Sequence, residues 1–243
     1  MKPCLLIPNY NHGRTMPALL ESLAPLGIPC LVVDDGSGPE TRAILEELER
    51  KHHWVSLRRR QRNGGKGAAL RDGFLWADQL GYTHALQIDA DGQHAAADAP
   101  HLLDAAKSTP GAMVLGVPSF EDAPAGRRYG HWVSRVWVWI ETCSLDIKDP
   151  LCGLRCMPLE PVLRVLRRAS CGDFMEFDLE IAVRVFWEGA PVISVPCRVR
   201  YFAGGLSHFD MLRDNVRISW AHTRLFTGML WRWPRLLARR LAW

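Results

Sequence analysis

The chain has 243 residues, with 30 Lys and Arg against 26 Asp and Glu, for a formal charge of +4. The excess is confined to the end: after Asp214 come six arginines and no acid, which leaves residues 1–214 at −2. A mildly acidic body excludes a protein that coats nucleic acid with a general basic face, and 48% hydrophobic with 23% charged residues excludes a disordered chain.

Short apolar runs recur along the chain. Residues 4–7 stop at Pro8, residues 30–33 at Asp34-Asp35-Gly36-Ser37, residues 85–88 at Asp89, and residues 112–115 at Gly116. Continuous apolar runs bounded by Asp, Asn and Gly predict buried parallel strands. Between them, residues 15–24, 39–51 and 66–80 place their apolar side chains at helical spacing. Further on, residues 117–128 read as a loop, and 131–145 and 176–188 as helices. A turn over 149–155 leads to a short strand, and 192–201 form a β-branched strand around Pro196. The fold class is therefore α/β: an open, mostly parallel, Rossmann-like sheet with helices on both faces, followed by an amphipathic C-terminal helix. The expected division is a body over 1–214 and a basic tail over 215–243.

No apolar run approaches the ~18–20 residues of a membrane span, and Met1-Lys2-Pro3 with its short apolar run does not make a signal peptide. Of the seven cysteines, Cys152 and Cys156 form the one close pair, with no matching Cys/His pair for a tetrahedral metal site. They are read as reduced core thiols of a cytoplasmic protein. His12, His84, His101, His131 and His222 are read as surface or satisfied histidines, and Trp132, Trp137 and Trp139 as core and helix-packing residues.

Chemistry is expected beyond the carboxyl ends of the strands, where open α/β sheets bind ligands. Asp89-Ala90-Asp91 puts two carboxylates at a strand end, where they can converge on a hard cation such as Mg²⁺ or Mn²⁺. Gln93 and His94 follow within reach. Asp34-Asp35 has the same placement and can accept from a nucleobase N–H or from ribose hydroxyls. Asn63-Gly64-Gly65-Lys66-Gly67 opens a helix, where glycines, a helix N-terminus and Lys66 suit an anion. Each motif alone is also the composition of an ordinary solvated turn.

As an ordered set, Ile7-Pro8-Asn9-Tyr10-Asn11, Val33-Asp34-Asp35-Gly36-Ser37, Asn63-Gly64-Gly65-Lys66-Gly67-Ala68-Ala69-Leu70 and Ile88-Asp89-Ala90-Asp91-Gly92-Gln93-His94 resemble the family 2 glycosyltransferases of GT-A fold, in particular the dolichyl- and polyprenyl-phosphate sugar transferase branch. Asp149-Pro150-Leu151-Cys152-Gly153-Leu154-Arg155 and Gly205-Leu206-Ser207-His208 extend the resemblance to about residues 4–209. It implies inverting transfer from a UDP- or GDP-linked sugar to a lipid or lipid-linked acceptor. Pro8, Tyr10, Asn11, Asp34, Asp35, Lys66, Asp89, Asp91 and His208 would bind the nucleotide sugar. Asp89, Asp91 and Gln93 would hold the metal. For a hydroxyl acceptor, Asp178 would be the base and Glu176 would orient the acceptor.

The chain departs from that branch at three places. Asn11 stands where an acid is usual, Gly116-Val117-Pro118 lacks the arginine of a Gly-x-Arg, and Phe202 and His208 replace an arginine and a lysine that would meet phosphates. His208, Arg198 or Arg200 can substitute, and Arg127 and Arg128 can close over the donor. The tail carries four of the ten tryptophans among its arginines, a pattern that suits the surface of an anionic membrane. The expected location is the inner face of the cytoplasmic membrane, bound peripherally. A nucleotidyltransferase and a membrane-docking pseudoenzyme that only binds a nucleotide sugar are the rival readings.

Overall fold

The structure is a computed structural model that describes residues 1–119, 125–199 and 210–241, the side chains of 125–128 and 239–241 excepted. Seven strands form one sheet: β1 (Pro3–Asn9), β2 (Cys30–Asp34), β3 (Val55–Arg59), β4 (His84–Gln87), β5 (Met113–Pro118), β6 (Arg155–Pro158) and β7 (Val192–Cys197). Their order is β3-β2-β1-β4-β6-β5-β7. All neighbours run parallel except β6, which is antiparallel to both β4 and β5.

Side chains alternate between two buried layers. Leu5, Ile7 and Val32 face one layer, while Cys4, Leu6, Leu31 and Val33 face the other. Burial on both sides is why β1 and β2 read as unbroken apolar runs. By contrast, β3 is an edge strand, and Arg58 and Arg59 at its end interrupt the apolar signal, so the sequence does not announce it.

The helices are α1 (Met16–Leu23), α2 (Pro39–Lys51), α3 (Lys66–Gln79), α4 (Ala99–Ser108), α5 (Ala125–Thr142), α6 (Leu159–Arg168), α7 (Glu176–Trp187), α8 (Met211–Leu230) and α9 (Trp233–Leu241). Most match the apolar periodicity; α4 and α6 are additions. The expected 117–128 loop lies partly outside the described residues, and its last part already belongs to α5. Pro234 sits in the first turn of α9, where its missing N–H costs nothing, so it separates two helices instead of kinking one.

The tail is not a separate layer. Ile218, Ala221, Leu225 and Met229 of α8 are buried in the same core as α3 and α7. Residue 214 lies inside α8, and its Asp214 carboxylate accepts from the Asp210 N–H at 2.8 Å. Among the tail arginines, Arg224 donates to the buried Glu180 at 2.9 Å and Arg232 stacks on Trp187. Of the tryptophans of α5, Trp132 is a correction, at 56% exposed, whereas Trp137, though 40% exposed, packs on His222 and Phe226 of α8, and the half-buried Trp139 donates its indole N–H to the Ile147 carbonyl at 3.0 Å. His222 is buried, with its Nδ1 2.8 Å from the Glu141 carboxylate.

The direction of β6 decides the position of the site. Parallel β1 to β4 end on one edge, with Asn9 opposite Asp34 and Asp34 opposite Arg59. Because β6 runs the other way, its first residue, Arg155, lies opposite Gln87 at the end of β4. The 149–154 turn is thereby delivered to that edge, and β5 and β7 end there too, with Pro118 opposite Cys197.

Candidate active site

A cleft of about 910 Å³ opens along this edge. Pro8, Tyr10, Asp35, Lys66, Asp89, Asp91, Gln93 and Asp178 line it, together with His94, Cys152, Gly153, Arg213 and Arg217. Three helices begin against it, with Lys66 of α3, Met175 before α7 and Met211 of α8 at the wall, an arrangement that suits an anion.

Asp34 and Asp35 are adjacent in sequence and point to different tasks. Asp34 is fully buried and not in the cleft lining; it accepts from the Ser37 N–H at 3.0 Å and from Arg59 at 2.8 Å. Asp35 accepts from the N–H groups of Gly64 at 3.0 Å and Gly65 at 2.7 Å, and from Arg60. It therefore joins the second strand's turn to the glycine loop. Gly65 has φ +98°, a conformation that side chains disfavour, and this turns the chain into α3. Asn11 lies behind the cleft, where its Oδ1 accepts from the Gly38 N–H at 2.8 Å and its N–H donates to the Ser37 hydroxyl at 2.9 Å.

Lys66 is the centre of the charge network. Its Nζ is 2.7 Å from Asp89 and 2.8 Å from Asp178. Burial alone would lower the Lys66 pKa, but the Asp178 and Asp89 carboxylates outweigh it and hold the ammonium above its ordinary range. Burial would likewise raise the Asp178 carboxyl. Lys66 and Arg155 overcome that, with the Gln87 amide donating at 2.9 Å, and Asp178 lies below the usual carboxylate range. Arg155, wholly buried, donates to the carbonyls of Pro150, Cys152 and Asp178 and so ties the 149–154 turn to α7. Glu176 is not in the lining: it is buried at the start of α7 and faces the 172–174 segment, where Phe174 N–H donates to it at 3.4 Å.

Asp91 is the second carboxylate of the strand-end pair. Burial raises its pKa, and the neighbouring Asp89 adds to the rise, while the Gln93 N–H donates to it at 2.9 Å. Two close carboxylates with one pushed up are a donor set that a hard divalent ion would relieve, so these residues fit Mg²⁺ or Mn²⁺. Gly153 packs directly onto Asp89, and a Cβ there would run into the carboxylate.

The sequence reading did not pick out Arg213, Arg217, His131 or Gly153 for this cleft. Arg217 pairs with Asp214 at 3.1 Å and lies 3.6 Å over the Phe174 ring. His131 is satisfied by Asp149 at 2.8 Å, as a bland histidine would be, yet it also faces the cleft, as does His12. Periodicity would have found Arg213 and Arg217, four apart at the start of an amphipathic helix. Arg198 is turned to Asp98 at 3.4 Å. His208 and Arg200 lie outside the described residues, as do the side chains of Arg127 and Arg128.

The family model for glycosyl transferase family 2 matches residues 4–172. The chain belongs to that family. The enzyme is 28% identical over 230 residues to the polyprenol monophosphomannose synthase of Mycolicibacterium smegmatis, covering 88% of this chain and 82% of that protein. It is 26% identical over 204 residues to the undecaprenyl-phosphate mannosyltransferase of Micrococcus luteus, covering 81% and 82%. Its fold is similar to that of glucosyl-3-phosphoglycerate synthase from Mycobacterium tuberculosis, solved with Mn²⁺ and UDP-glucose. There the TM-score is 0.67 at 16% identity, over 90% of this chain and 75% of that one. A mannosyltransferase from Pyrobaculum calidifontis, solved with GDP-mannose and Mn²⁺, gives 0.61 at 17% identity, over 99% and 74%. The transferase thus has the GT-A architecture expected from its motifs.

Proposed function

We propose that the enzyme transfers a sugar, with inversion, from a UDP- or GDP-linked donor to a polyprenyl phosphate presented at a membrane surface. The observation that carries this reading is the cluster of Asp89, Asp91 and Lys66 at the strand ends, in a chain whose relatives are named for polyprenyl-phosphate transfer. Pro8, Tyr10 and Asp35 would form the nucleoside end of the cleft. Asp89 and Asp91, with Gln93, would hold Mg²⁺ or Mn²⁺. Such an ion, when bound, offsets the charge that builds on the departing diphosphate.

The protein's own groups divide the remaining work. Lys66 supplies a cation beside the diphosphate, and Asp178 holds it there. A phosphate acceptor, with a second pKa of about 6, needs no base near neutral pH. The depressed pKa of Asp178 and the turn of Glu176 away from the cleft favour that acceptor over a hydroxyl. Arg213 and Arg217 are the cations proposed to meet the acceptor phosphate, in place of those replaced at Phe202 and His208.

Membrane contact is assigned to the outer face of α8 and α9. No helix among the described residues is long and apolar enough to cross a bilayer. Met211 stands at the cleft wall, and Leu212, Val216 and Trp220 continue from it as an exposed stripe, with Leu230, Trp231 and Trp233 beyond. Apolar and indole side chains in a basic helix suit the headgroup boundary of an anionic leaflet, and a lipid held there would enter the cleft beside Arg213. The face of the bilayer that would be engaged is the cytoplasmic one.

The test is release of UDP or GDP by the full chain with Mn²⁺, a panel of nucleotide sugars and polyprenyl phosphate in micelles. Release is expected to require the phosphorylated lipid and to stop with chelator. Equal release with unphosphorylated polyprenol would overturn the acceptor, and turnover unaffected by chelator would overturn the metal.

A further inference from the structure

A second set of ligand-type side chains meets beside the carboxylates. His94 follows the Asp89–Asp91 turn, Cys152 lies in the 149–154 turn and Cys197 ends β7. One ring nitrogen and the two sulfurs all lie within 4.8 Å of one another. Spacing along the chain hides the set, because the cysteines are 45 residues apart. The reversed β6 and the parallel β5–β7 pair bring them to one point.

The geometry is that of a metal site. The sulfurs are 3.9 Å apart, too far for a disulfide of about 2.05 Å. Two thiolates bound tetrahedrally at about 2.3 Å from one zinc ion stand at nearly that separation. Both cysteines are 3% exposed and the His94 side chain 8%, and His94 Nδ1 is buried without a hydrogen-bond partner among the described residues. A buried polar atom left unpaired is uncommon and calls for a ligand. Gly116 leaves the room that the pair occupies: a Cβ there would stand 3.0 Å from each sulfur. The backbone is also braced, since the Ala95 N–H donates to the Arg198 carbonyl at 3.2 Å.

We propose that His94, Cys152 and Cys197 bind one thiophilic divalent ion, of the zinc type, at a site separate from the hard-ion pair Asp89 and Asp91. Two sulfurs and an imidazole select zinc over Mg²⁺ or Mn²⁺, and carboxylate oxygens do the reverse. His94 and Cys152 line the cleft, so the fourth position of the ion opens toward it. The ion ties the Asp89–Asp91 turn, the 149–154 turn and the end of β7 together, and so holds Gly153 against Asp89.

Co²⁺ alone, titrated into the reduced full chain without nucleotide, reads the site directly. A thiolate-to-cobalt absorption band is expected to saturate at one ion per chain and to bleach on adding Zn²⁺. It is expected to disappear in Cys152→Ser and Cys197→Ser and to persist in Asp91→Asn. X-ray absorption at the zinc edge of the unsubstituted protein guards against misfolded variants, with two sulfur neighbours and at least one nitrogen expected. The proposal is overturned by absence of the band, by a band that survives both cysteine substitutions, or by a zinc shell of oxygen and nitrogen alone.

Discussion

Lys66 and Asp89 stand 2.7 Å apart at the floor of the cleft, although they come from different turns of the chain. One opens α3 and the other follows β4. The ammonium thus occupies one flank of a carboxylate that is also the candidate ligand for a divalent ion. Lys66→Met is expected to lower turnover about 100-fold, the usual cost of removing one charge-stabilising donor. It is also expected to tighten Mn²⁺ binding in the absence of nucleotide, because Asp89 loses a competing cation. Calorimetric titration with Mn²⁺ and a nucleoside-diphosphate release assay measure the two; weaker Mn²⁺ binding would count against the arrangement.

Asp178 anchors Lys66 from the other side. Removing one partner of a buried ion pair costs about 3–5 kcal/mol, and Asp178→Asn is expected to fall at the low end because the amide still hydrogen-bonds. The pH dependence has a definite sign. The folded carboxyl titrates below its unfolded value of about 3.9, so its stabilisation is present above that value and is lost as pH falls through the lower folded one. The melting-temperature gap between the natural protein and the variant should be constant near neutrality and close below about pH 4. A gap that widens on acidification would refute the assignment.

Gly153 is expected to tolerate no side chain. In Gly153→Ala the added methyl meets the Asp89 carboxylate. Overpacking of this kind costs about 1–3 kcal/mol, or about 5- to 150-fold in Mn²⁺ affinity if the strain is relieved by moving Asp89. Circular dichroism should show the fold retained while the Mn²⁺ titration weakens. An unchanged titration would show that the turn gives way instead.

Membrane attachment is best tested by surface substitution. Ending the chain at Asp214 would strip Ile218, Ala221, Leu225 and Met229 from the core, so lost flotation would report unfolding. Leu212→Ser, Val216→Ser and Trp220→Ser together alter exposed positions only. They are expected to leave the melting temperature nearly unchanged and to reduce co-flotation with anionic vesicles by about 100-fold or more, from the apolar area withdrawn. Undiminished flotation would remove these helices from the membrane-facing role.

The order of elements and the chemistry at the strand ends were legible because both are local. Strands buried on two faces must be continuously apolar, as at residues 4–7 and 30–33, and their turns must be polar and flexible. Asp89, Asp91 and Lys66 were therefore visible as candidates before any fold was known. Edge strand β3 was not, because its arginines need no burial. Nor was the difference between Asp34 and Asp35, one locked on Arg59 and the other on the glycine loop: neighbours on a strand point to opposite faces, and only the sheet says what lies on each. The pairing of Lys66 with Asp178, the meeting of Cys152 with Cys197, and the burial of one face of α8 are contacts between segments far apart in the chain. They depend on the reversed β6 and on the docking of α7 and α8, which no local pattern specifies. Sequence alone determined the family of chemistry; packing decided which carboxylates and cations can act together.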